Sequence, residues 1–140
     1  MVVSQHGPRV RRVRAPLAAA SGAAAAATLL CLRDPHRPGA YGVCPFHALT
    51  GLWCPACGGL RASADLVHGE VAASLSSNLF VLPLAVVAVV AWWGWARRRW
   101  NGVEGAGLVS GRPATVAVLA VLAVFTVLRN TPWGAALAPT

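Results

Sequence analysis

The run Leu79 to Ala96 (LFVLPLAVVAVVAWWGWA) carries no charged side chain, and no other feature limits the fold so severely. As a helix rising ~1.5 Å per residue it reaches about 27 Å, close to the ~30 Å hydrocarbon core of a bilayer. A chain of 140 residues that is 56% hydrophobic and 11% charged has too little polar surface to cover a soluble globule. Lipid is therefore the expected solvent. Asn78 is placed to cap this helix, and Pro83 falls where a lost donor costs little. Trp92, Trp93, Trp95 and Trp100 gather near its far end like an interfacial aromatic belt.

Two more runs resemble it. Ala114 to Leu128 (ATVAVLAVLAVFTVL) spans roughly 22 Å, with Pro113 at a helix-starting position, and it needs Arg112 and Arg129 as snorkelling ends. Ala15 to Leu32 has the length of a span but is rich in alanine. Its charged leader and small residues also suit a secretory signal, yet cleavage there would leave an apolar stub at Leu29 to Leu32, so it is read as a retained span. A lipidated Cys31 is disfavoured by Leu30, which stands where that motif wants a small residue. The expected architecture is all-α: a basic tail over 1–14 and one membrane domain over 15–133, with spans near 15–32, 79–96 and 114–128.

All twelve basic residues are arginine, and the formal charge is +8. They flank apolar runs, which points to anionic lipid heads and away from nucleic acid. With three spans, Arg9, Arg11, Arg12, Arg14, Arg97, Arg98, Arg99 and Arg112 share one side, and Arg33, Arg37, Arg61 and Arg129 the other. The richer side is expected in the cytoplasm, which puts the amino terminus inside and Arg33 to Asn78 outside.

Between the first two spans, Asp34 to Gly42 is too rich in proline and glycine for a regular element. Then come Cys44-Pro45-Phe46-His47 and Cys54-Pro55-Ala56-Cys57-Gly58-Gly59. From Leu60 onward, Leu60, Ala64, Val67, Val71 and Leu75 recur on one helical face, with a weak point at Gly69. The segment 44–75 thus reads as a cysteine motif followed by an amphipathic helix that lies at the interface, re-enters the membrane or packs back on the bundle.

The strings Cys44-Pro45-Phe46, Leu49-Thr50-Gly51, Cys54-Pro55-Ala56-Cys57-Gly58, Arg61-Ala62 and His68-Gly69-Glu70, with Asn78 and Arg129-Asn130, resemble a bacterial family of small membrane proteins catalogued as domain of unknown function 2752. The resemblance covers roughly residues 40 to 133. It implies a multi-pass protein of the bacterial inner membrane with a cysteine motif after its first helix, and it implies no activity. The family pattern has glycine where Ala56 stands, which bears only on a tight-backbone role there.

Three chemistries fit the cysteines. A disulfide from Cys54 to Cys44 or Cys57 would staple the loop, with Arg61 and Asp65 a surface ion pair and His47 and His68 interfacial polar groups. A zinc-type site would draw on Cys44, Cys54, Cys57 and a histidine, His47 or His68. A thiol-disulfide oxidoreductase would use Cys54 and Cys57, with a helix start and Arg61 lowering a thiol pKa and Cys44 as third partner. The leading expectation is a non-enzymatic membrane or partner-binding module with a stapled loop, touching lipid and another membrane protein or a second copy. Cys31 is expected as a packed small hydrophobe. Asp34, Asp65, Glu70 and Glu104 are the only carboxylates and form no acid/base pair, and neither the second nor the third run contains an ionisable residue to mark a transport path.

Overall fold

A computed structural model describes residues 9–37, 39–42, 44–103 and 111–137. Within them the chain forms α1 (Arg9–Leu32), α2 (Pro45–Thr50), α3 (Gly59–Val67), α4 (Val71–Ser77), α5 (Val81–Trp100), α6 (Arg112–Arg129) and a closing 3₁₀ turn (Pro132–Leu137). No strand occurs among the described residues. Glu104 and residues 1–8 lie outside them. Three helices, at Arg11–Leu32, Val81–Trp100 and Arg112–Arg129, are long and apolar enough to cross a membrane. The first begins earlier than its apolar run because arginine is a good helix former and nothing before Pro16 interrupts the helix.

α1 packs on α5. Trp92 donates its indole N–H to the carbonyl of Pro16 at 3.0 Å, and Pro16 is fully buried. Trp92 therefore joins two helices, which goes beyond the belt role expected of it. Near the end of α5, the guanidinium of Arg12 lies over Gly102, where an added Cβ would come within 2.5 Å of Arg12 Nη1 and φ is +72°. A side chain there would strain the left-handed backbone and displace the guanidinium. These contacts make α1 and α5 antiparallel and bring the arginines at the start of α1 and the end of α5 to one end of the bundle. The cysteine motif sits at the other.

The expected amphipathic helix is broken in two at Gly69, whose φ of +81° takes the left-handed backbone that glycine adopts at least cost. Its orientation is the reverse of a soluble helix. Leu60 is 48% exposed, and Val67 and Val71 also face outward, while Ala62, Ala64, Asp65, Ser74 and Ser77 are buried. In lipid an outward leucine loses nothing, small residues permit close helix approach, and polar groups are driven inward. α5 also leaves its apolar residues outward, and none of its residues is buried. Cys31 is likewise exposed on α1, so it is not the packed hydrophobe expected.

Asp65 is 4% exposed and so is no surface group. Its carboxylate accepts from His36 Nε2 at 2.8 Å and from Ser77 Oγ at 2.9 Å, tying the 34–42 loop and α4 to α3. Asp65→Ala removes a charge-assisted bond and a buried one, and should cost about 2 kcal/mol. Thermal unfolding of the detergent-solubilised protein checks this, and an unchanged midpoint would show that the tie carries no stability.

Candidate functional site: a three-cysteine cluster at the bundle end

Local sequence brings the cysteines together. Cys44 precedes α2, which starts on Pro45, a residue preset for a first helical position. Cys54 to Cys57 closes a turn, with Cys57 N donating to Cys54 O at 3.1 Å, and Gly59 N then donates to Ala56 O at 2.8 Å. Proline after the first residue suits such a turn. Ala56 keeps a negative φ, so the family's glycine is not needed there. The result is a cluster in which Cys54 Sγ lies 3.0 Å from Cys57 Sγ and 3.5 Å from Cys44 Sγ, all three ligand atoms within 4.8 Å of one another. These are free thiols in this structure.

The turn is held from a distance. Asn78 Nδ2 donates to the carbonyls of Pro55 and Cys57, both at 3.0 Å, while its Oδ1 accepts from Phe80 N at 2.9 Å. Asn78 is thus not the N-cap expected of it, since α5 is capped by Phe80; it ends α4, closes a turn onto Phe80 and fixes the motif with the same side chain. From the end of α6, Arg129 Nη1 donates to Cys54 O at 2.7 Å, and Nη1 and Nη2 both reach Cys57 O at 3.4 Å. Asn130 pairs with Trp53 like a neighbouring strand, donating to its O and accepting from its N, both at 2.8 Å. Phe80 against Phe125, with centroids 5.5 Å apart, seats this end of α6 beside the start of α5. Arg129, expected as a snorkelling end of its span, is instead 1% exposed. The available signal was the position of Asn78, Arg129 and Asn130 at the ends of apolar runs.

A cavity of about 450 Å³ opens over the sulfurs, lined among others by Cys44, Cys54, Cys57, His47, Trp53 and Arg61. His47 stacks on Trp53 at 4.0 Å and donates from Nδ1 to Leu52 O at 3.1 Å, a tautomer that leaves Nε2 with its lone pair. His68 is not brought to the cluster, its Nδ1 donating to Ala64 O in its own helix at 2.8 Å.

The thiols are unequal. The backbone N–H of His47, with Cys54 second, holds the Cys44 thiol below its ordinary value, whereas burial, with Cys54 second, pushes Cys57 up to about 12. The thiol with the lowered pKa is therefore Cys44 and not the one at the start of α3. A lower pKa means more thiolate at a given pH, so in metal-free protein at about pH 8 iodoacetamide should modify Cys44 well before Cys57. Mass mapping over time checks the order, and Cys57 reacting first would refute it.

Fold and site define a small all-α protein with three helices suited to a bilayer and a thiol cluster at one end of them. Residues 44–92 match the sequence model of the family described as Protein of unknown function (DUF2752), in agreement with the resemblance read from the motif. The match takes in the cysteine cluster and α5 as far as Trp92; Arg129 and Asn130 lie beyond it. No curated protein and no solved structure matches the chain.

Proposed function

We propose that this chain is a membrane-anchored metal-binding protein that holds one thiophilic ion of the zinc type through Cys44, Cys54 and Cys57. The observation that carries the reading is the third sulfur. A loop staple needs two cysteines and leaves the third without a reason to converge, whereas three sulfurs within 4.8 Å approach one face of a thiolate tetrahedron. With Zn–S near 2.3 Å the edge of such a tetrahedron is about 3.8 Å, so loading requires the thiols to spread by less than an ångström from 3.0 and 3.5 Å. His47 lines the same cavity with Nδ1 already bonded to a carbonyl, the outer contact common for a ligating histidine, and we assign it the fourth position.

By the positive-inside rule we take the arginine-rich end as cytoplasmic and the cluster as extracytoplasmic. Unligated thiols oxidise there, and a bound ion keeps them as thiolates. After chelation, a membrane-impermeant maleimide should label the cluster in intact cells; labelling only after lysis would invert the topology.

The 3.0 Å approach of Cys54 and Cys57 favours a second reading, a thiol-disulfide pair. Elemental analysis and thiol counting on protein purified in detergent without added chelator separate the two. The metal reading expects about one zinc per chain as purified, with a weaker hold on the ion in Cys44→Ser or Cys57→Ser. Metal-free protein with Cys54 and Cys57 joined would overturn it.

A further inference from the structure

Arg129 is a buried cation whose charge no carboxylate answers among the described residues. It is 1% exposed, and its guanidinium donates to the carbonyls of Cys54 and Cys57 and lies over the Phe125 ring at 5.0 Å. Its Nε–H is buried with no hydrogen-bond partner. The chain has four acidic residues, and within the described residues the one in an ion pair is Asp65, which is committed to His36 and Ser77. A guanidinium does not give up its proton in a protein, and a buried charge without an opposite charge is strongly unfavourable. Carbonyls accept from its two terminal nitrogens but leave its charge unanswered. Among the described residues, the groups able to become anionic that act on it electrostatically are the thiols of Cys57 and Cys54, the residues whose carbonyls it grips. Arg37 and Arg61 line the cavity as well and add potential of the same sign, but neither is buried as Arg129 is.

We infer that Arg129 is the built-in counter-charge of the cysteine cluster, which matches the site to a divalent thiophilic cation. The inference rests on the metal reading above. Three thiolates around a divalent ion leave one formal negative charge, and the guanidinium beside them brings the sum to zero. The same three thiolates around arsenic(III) form a neutral complex, since arsenous acid loses its three hydroxyls as water on joining three thiols. Arg129 then has no net charge to answer.

That difference separates charge from mere positioning. Binding of cadmium(II) and of arsenous acid is measured on the full chain in detergent for the wild type, Arg129→Gln and Arg129→Lys. Arg129→Gln should weaken cadmium about 10- to 100-fold while leaving arsenous acid within a few-fold of wild type, and Arg129→Lys should recover most of the cadmium affinity. Retained arsenous acid binding also certifies that the three thiols of the variant still converge. Equal loss of both ligands, no loss of cadmium, or no rescue by lysine would overturn the inference while leaving the metal site standing. If the wild type takes up neither ion at its three cysteines, the metal reading itself falls.

Discussion

Cys54→Ser is expected to abolish stoichiometric metal binding, with a larger effect than either neighbouring cysteine. Cys54 is the hinge of the cluster, 3.0 Å from Cys57 and 3.5 Å from Cys44. Serine keeps the shape but supplies an alcohol that stays protonated where a thiolate is required, and soft ligands select zinc-type ions. Since loss of an outer contact alone weakens metal affinity 10- to 100-fold, loss of this ligand should exceed about 100-fold. The backbone of the turn should persist, because Arg129 and Asn78 hold it through carbonyls and not through sulfur. Competition with a chromogenic chelator measures the affinity, and a Cys54→Ser protein that retains wild-type zinc would show that the sulfurs are not the ligands.

Asn78→Ala should destabilise the protein by about 2–3 kcal/mol and release the motif from the start of α5. Asn78 is 2% exposed and makes three hydrogen bonds, two donated to the cysteine turn and one accepted from Phe80. Each is worth about 1 kcal/mol, and the groups left behind have no water to replace their partner. Asn78→Asp sharpens the test. It keeps the acceptor for Phe80 but turns a carboxylate toward the carbonyls of Pro55 and Cys57, so it should be no more stable than alanine. Thermal unfolding in detergent, followed alongside zinc retention, reads both effects. An aspartate variant as stable as the wild type would show that the donated bonds do not matter.

The spans were legible because an unbroken apolar run has few fates at this length: Ala114 to Leu128 falls within α6, and Leu79 to Ala96 overlaps α5, which starts two residues later at Val81. The break at Gly69 was legible as a weak point. The facing of α3 and α4 was not, since periodicity identifies a stripe without saying whether its solvent is water or lipid, and Leu60 and Val67 turned outward. The three cysteines were legible as a set, and so was their neighbour His47. What local pattern cannot carry is a contact between residues 72 to 77 positions apart. Arg129 and Asn130 looked like the end of a helix and proved to grip the cysteine turn. Asp65, expected at the surface, is buried and holds His36 of the loop before the motif. Ordinary helix spacing outweighed a tertiary contact that no spacing encodes.

X-ray absorption at the zinc edge of the purified, metal-loaded protein addresses the central claim most directly, because it reads the ligand atoms themselves. The account predicts three sulfurs at about 2.3 Å and one lighter ligand near 2.0–2.1 Å, with the sulfur count falling in Cys44→Ser. A shell of nitrogen and oxygen alone, or zinc with fewer than three sulfurs in the wild type, would contradict it.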